Sequence, residues 1–124
     1  MKGVDVTERK PLTRSKIGVL MGGRSSEREV SLKTGEAVYR SLVRSGYDAL
    51  AIDVSGNLSR ALQEQAIEIA FLALHAPGGE DGAIQGFLET LGIPYTGSGV
   101  RASAIGMHKV VTKTELAAQG IPVP

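Results

Sequence analysis

The chain has no cysteine and no tryptophan, and only two phenylalanines and three tyrosines among its 124 residues. Without cysteine there can be no disulfide, no thiolate metal site and no cysteine nucleophile. So few aromatic side chains leave little of the stacking platform that single-stranded nucleic acids use. An excess of one charge is also missing: 14 Lys and Arg stand against 13 Asp and Glu, a formal net charge of +1. No global field therefore favours nucleic acid or an anionic membrane as a partner. No apolar run approaches the ~20 residues of a membrane span. Met1 to Lys16 carries five basic residues but lacks the apolar stretch of a secretory signal. Repeats of solenoid period and low-complexity tracts are absent as well. These absences are compatible with the cytosol, and a protein with neither nucleic acid nor membrane as partner is the expectation.

What is present reads as one domain. The length suits a single core, and 42% hydrophobic with 22% charged residues is ordinary globular composition. Residues 1–15, with Pro11, mixed charge and no periodicity, are expected to form a flexible, solvated tail. Residues 16–124 are expected to form the domain. Ile17–Met21 is a continuous apolar run, as in a buried parallel strand. A helix should follow, with Ser26 as N-cap and Glu29 completing a capping box. Its inward face would be Val30, Ala37, Val38 and Leu42, with Gly46 ending it. Asp48–Asp53 reads as a second strand, Leu58–Gln65 as a short helix and Ile67–Leu74 as a third strand. The spacing of Ala83, Ile84, Phe87, Leu88 and Leu91 predicts a helix closed by Gly92. Ile93–Tyr95 reads as a brief edge strand, and Val100–Gln119 as two helical pieces broken near Gly106. The order β-α-β-α-β-α-β followed by helix predicts an α/β fold, a mostly parallel sheet between two helical layers.

Three loops carry chemistry. The third apolar run ends in Leu-His-Ala-Pro-Gly-Gly-Glu-Asp-Gly, from Leu74 to Gly82. Open α/β sheets place ligands at such carboxyl ends, and glycines let backbone approach a substrate closely. Glu80 and Asp81 immediately precede a predicted helix, where capping is the expected work. The first strand leads into Gly22-Gly23 and a helix N-terminus, a geometry that receives anions on free backbone N–H groups. Two roles are open to Glu27 there: a carboxylate favoured by the helix dipole, or a holder of a substrate ammonium. Gly97–Ala102 nominally fits G-x-G-x-x-A, but the residues that follow look helical, so generic dinucleotide binding loses support. Lys109 and Lys113, four apart, form either a solvated basic stripe or a pair of cations directed at phosphates.

Taken together, Gly22 to Leu32, His75 to Gly82, Gln85 to Glu89 and Gly92 to Gly99 resemble the amino-terminal domain of the D-alanine–D-alanine ligase family. Ala102 to Lys109 and Gly120 to Pro124 continue the resemblance in the same order, so it covers essentially everything from Lys16 onward. It implies a bacterial, cytoplasmic ATP-grasp ligase of peptidoglycan synthesis, with a Rossmann-like pre-ATP-grasp fold. In that family ATP and Mg²⁺ (or Mn²⁺) phosphorylate the carboxylate of one D-alanine, and the amine of a second attacks the acyl phosphate. Carried over by motif, Glu27 would hold the ammonium of the first D-alanine, His75 would sit beside it, and Lys109 would neutralise ATP phosphate charge. No metal ligand would come from this chain. A homodimer is implied, as are central and carboxy-terminal ATP-grasp domains not in these 124 residues. The chain alone is accordingly expected to be inactive. Rival readings are a pre-ATP-grasp domain of another carboxylate–amine ligase and a non-catalytic dimerisation module. Two departures stand out. Ala76-Pro77 follows the histidine where the family has Gly, and Pro77 should push Ala76 toward extended backbone. His108 precedes Lys109 where the family has Asp.

Overall fold

Lys16–Met21 forms β1, the central strand of a three-stranded sheet, in a computed structural model that describes residues 11–124. Asp48–Asp53 (β2) and Ile69–Leu72 (β3) pair with it in parallel, in the order β2-β1-β3. Neighbours on both edges and helices on both faces explain why β1 needs uninterrupted apolar sequence. Val19 and Leu20 are fully buried. The side chains alternate between two layers. Leu20, Ile52 and Ala70 join Leu62 of helix α2 (Leu58–Glu64) and Ile84 and Leu88 of α3 (Ala83–Thr90). Val19, Met21 and Ala73 lie against Leu32, Val38, Tyr39 and Leu42 of α1 (Arg28–Arg44). Helices α4 (Val100–Met107) and α5 (Lys109–Ala118) follow and contribute no buried residue. The α/β class with a parallel sheet between two helical layers is as expected.

Several local expectations need correction. Ile93–Tyr95 supplies only an isolated parallel bridge, Ala70 to Tyr95, rather than a fourth strand. Pro94 has no N–H to give, and its carbonyl accepts from the Ala70 amide at 2.9 Å. The third strand is regular over Ile69–Leu72 only. Helix α1 begins at Arg28 with Glu27 as N-cap, and the capping box of Ser26 and Glu29 does not form. Instead the Ser25 hydroxyl accepts from the Glu27 amide at 3.2 Å. The inward face of α1 is also rotated. Val30 is 54% exposed and Ala37 is not buried, whereas Ser31 and Gly35 are buried. The cause is close approach: a Cβ on Gly35 would lie 2.5 Å from the Met21 Cβ. The helix therefore rests on the sheet through its smallest residues, with Leu32, Val38, Tyr39 and Leu42 flanking them. The two helical pieces expected over Val100–Gln119 form, and the break between them falls at His108, whose ring caps α5 by accepting from the Val111 amide at 3.3 Å. Of the expected tail, residues 1–10 lie outside the described residues. Leu12–Arg14 form a short 3-10 helix with no buried residue, and Ser15, next to β1, is buried.

Candidate functional site

The chain leaves β1 at Met21 and turns through Gly22 to Ser26 into α1, while β3 runs out through Leu74 into His75 to Gly82. Both loops emerge at the carboxyl edge of the sheet, and a cavity of about 480 Å³ lies between them. Gly23, Arg24 and Ser26 form one wall, His75 and Gly79 the other, and Val54 closes the side toward β2. This is the crevice expected of an open parallel sheet.

Tight polar ties set the first wall. The Gly22 amide donates to the Ser31 hydroxyl at 2.9 Å, and that hydroxyl donates to the Ala73 carbonyl at 2.6 Å. One fully buried serine thus joins the ends of the two strands that border the cavity. Gly22 has φ +78°, and a Cβ there would meet the Asp53 carboxylate at 2.6 Å, so glycine is required. The Gly23 amide donates to Asp53 at 3.3 Å. The expectation that this glycine pair offers free N–H groups to an anion is therefore corrected, because both amides are already engaged. Arg28 pairs with Asp53, its Nη1 donating at 2.9 Å and also reaching the Gly23 carbonyl at 2.9 Å. The Arg28 guanidinium holds the Asp53 carboxyl well below the usual carboxylate range; burial opposes this, and the amides of Ser55 and Gly23 assist it.

The second wall is built by carboxylates that bind backbone. Asp81 accepts from the Gly78 amide at 2.8 Å and from the Ala83 amide at 3.1 Å, which lowers its pKa and caps the entry to α3. Glu80 does not cap that helix as expected. It accepts from the Ala76 amide at 2.8 Å, and its other oxygen lies 3.9 Å from His75 Nδ1. Ala76 has φ +65°, so the extended backbone expected before Pro77 is not found. Its carbonyl accepts from the amides of Gly79 and Glu80, and this tight turn takes precedence over the preference of a pre-proline residue. A position needing left-handed backbone is also where glycine is the natural occupant. Gln85 Nε2 anchors the Gly79 carbonyl at 3.1 Å, while its buried Oε1 has no hydrogen-bond partner among the described residues.

His75 lines the cavity, its side chain 29% exposed. The Ser25 hydroxyl donates to its carbonyl at 3.3 Å, and its Nε2 lies 3.2 Å from the Thr34 hydroxyl. Glu27 stands one residue beyond the lining segment, at the N-cap of α1, exposed and making no capping bond with its side chain. The fold thus brings the Glu27 loop and His75 to one edge. Lys109 is not brought there: it opens α5, is exposed and does not line this cavity. Lys113 donates to the Pro124 carbonyl at 3.1 Å. Ser25, Ser31, Thr34 and the Arg28–Asp53 pair are site residues to which the sequence alone assigns no role. Small polar residues at helical spacing on a face assumed to be apolar were the available signal. Among the described residues no three His, Asp or Glu side chains cluster as a metal-binding group.

Comparison with known proteins places these features in a family context. A family model described as D-ala D-ala ligase N-terminus matches residues 16–61 and 55–98. The D-alanine–D-alanine ligase of Desulforudis audaxviator is 60% identical over 109 residues, covering 88% of this chain and 36% of that protein. That of Carboxydothermus hydrogenoformans is 54% identical over 109 residues, covering 88% and 35%. Among solved structures, the D-alanine–D-alanine ligase from Bacillus anthracis complexed with ATP superposes with TM-score 0.80 at 42% identity, covering 89% of this chain and 38% of that one. The Coxiella burnetii enzyme gives TM-score 0.72 at 30% identity, with coverages of 88% and 42%. The chain spans about a third of the length of the curated relatives it matches.

Proposed function

This chain belongs to the family of D-alanine–D-alanine ligase amino-terminal domains, and from that premise we propose that residues 16–124 form the domain supplying the first D-alanine subsite of such a ligase. The observation that carries the reading is the cavity at the carboxyl ends of β1 and β3, with His75 in its wall and the Glu27 loop at its rim. A zwitterionic amino acid needs a carboxylate for its ammonium, and a charge-assisted bond supplies both strength and direction. Glu27 is exposed beside the cavity and uncommitted to capping. The α1 N-terminus favours a negative charge at that position. His75 adds a polar contact on the opposite wall.

The reaction proposed for the whole enzyme is that of its relatives. ATP activates the carboxylate of one D-alanine, and the amine of a second displaces phosphate to give the dipeptide. Lys109, at the first position of α5, is proposed to meet ATP phosphate charge away from the cavity described here. Mg²⁺ serves in that chemistry, and no metal-binding group occurs among the described residues to hold it. A homodimer in the bacterial cytoplasm, acting in peptidoglycan synthesis, completes the proposal. No helix among the described residues is long and apolar enough to cross a membrane.

The test is titration of the chain with D-alanine and L-alanine, followed by amide NMR. Shifts confined to Gly22–Ser26 and His75–Gly79 with D-alanine, and weakened by Glu27→Gln, are expected. Saturable binding unaffected by Glu27→Gln would remove Glu27 from the subsite, and no response to D-alanine would remove the subsite itself.

A further inference from the structure

We infer that Thr34 is a positioning residue that fixes His75 as the Nε2–H tautomer, leaving Nδ1 as the ring nitrogen not committed to α1. This rests on His75 being a wall of the D-alanine subsite and adds how that wall is set.

Counting protons assigns the roles. A threonine hydroxyl has one proton to donate and can also accept. Thr34 Oγ1 donates its one proton to the Val30 carbonyl at 3.0 Å, the shorter of its two contacts. This i−4 bond is a regular habit of helical threonine and fixes the side-chain rotamer. Toward His75 Nε2, at 3.2 Å, the same oxygen must therefore accept. Nε2 carries the proton, and in the neutral ring Nδ1 is bare. Nδ1 stands 3.9 Å from a Glu80 oxygen, beyond hydrogen-bond reach, so that carboxylate does not hold a proton on Nδ1. Glu80 is itself held by the Ala76 amide at 2.8 Å, and the His75 carbonyl is held by the Ser25 hydroxyl at 3.3 Å. The ring is thus fixed at its backbone and at one nitrogen by α1 and its entry loop, while its second nitrogen faces the Glu80 loop.

Long-range ¹H–¹⁵N spectra of the imidazole nitrogens test this on the chain itself. His75 and His108 are its only histidines, and His108→Asn, which keeps a capping side chain, identifies the His75 signals by elimination. The neutral ring of the parent chain is expected to show a protonated Nε2 and a bare Nδ1, and Thr34→Ser is expected to preserve that pattern. Thr34→Val, close in shape but unable to hydrogen-bond, is expected to give a mixture of tautomers and to weaken D-alanine binding about fivefold, the loss of one modest hydrogen bond. An Nδ1–H ring in the parent chain would overturn the inference without any variant being needed. A Thr34→Val spectrum matching the parent would overturn it equally. The tautomer measurement needs no ligand, so a chain that shows the Nε2–H ring yet ignores D-alanine refutes the subsite and leaves the role of Thr34 standing.

Discussion

Replacing Ser31 with alanine removes a hydroxyl that is fully buried and bonded on both sides. The hydroxyl accepts from the Gly22 amide at 2.9 Å and donates to the Ala73 carbonyl at 2.6 Å. Alanine leaves a buried N–H and a buried C=O, each costing about 1–3 kcal/mol when unsatisfied. Alanine is the better helix former by up to ~0.5 kcal/mol. Some relaxation of the strand ends recovers a further part. A net loss of about 2–4 kcal/mol is therefore expected, most of it from the two backbone groups left unpaired. Against a typical total of about 5–15 kcal/mol that is a large fraction. With a urea slope of ~2 kcal/mol/M, the unfolding midpoint should fall by about 1–2 M. Equilibrium urea unfolding followed by circular dichroism reads this directly. Ser41→Ala, at an exposed position of the same helix, serves as the control and should move stability by no more than about 0.5 kcal/mol. A loss below about 1 kcal/mol for Ser31→Ala would contradict this account, because it would mean that water or a backbone shift replaces both bonds.

Three further outcomes are expected. Gly35→Ala would gain about 1 kcal/mol at an exposed helix position, but here its Cβ would sit 2.5 Å from the Met21 Cβ; a net loss of about 1–3 kcal/mol is expected, and a rise in melting temperature would contradict the packing. Ala76→Gly relieves a left-handed alanine worth about 1–2 kcal/mol while adding unfolded-chain entropy of about 0.4–1 kcal/mol. Thermal unfolding should therefore show the variant level with or slightly above the parent, and a clear fall in melting temperature would exclude strain at φ +65°. Asp53 is more acidic folded than unfolded, so its contribution is present above the ordinary carboxylate value of 3.8 and is lost as pH falls below it. Asp53→Asn should cost stability at neutral pH and flatten the acid slope of the urea midpoint; an unchanged slope would show that the pair with Arg28 is not coupled to folding.

Much of the fold was legible because its signals are local. The continuous apolar run of Ile17–Met21, the turn at Gly46 and the strand Asp48–Asp53 follow from burial on both faces and from glycine's backbone freedom. Where the structure departs from local preference the cause is the same, tertiary context acting on a residue whose own preference points elsewhere. Val30 looks like core but is exposed, because Gly35 and Ser31 are what allow α1 to lie on β1. Ala76 precedes a proline but turns left-handed, because its carbonyl closes the Gly79 and Glu80 turn. His108 has little propensity to cap, yet its ring caps α5. At the site, His75 and the Glu27 loop were visible as a strand end and a helix start, whereas the residues that hold them were not.

The order of apolar runs and glycine-rich loops is enough to specify that strands alternate with helices, that the sheet is parallel, and which loops meet at its carboxyl edge. Hydrophobic periodicity and the handedness of parallel crossovers leave few other ways to bury these segments. It takes the folded chain to engage the Gly22 and Gly23 amides, to tie the two strand ends through one buried serine, to set Lys109 apart from the cavity, and to bring Thr34 against the imidazole of His75. Those outcomes depend on distances between residues 9 to 42 positions apart. A hydrogen bond is directional and acts only near 3 Å. Composition and spacing can show that a donor and an acceptor exist in the chain, but only the folded backbone brings the two into contact.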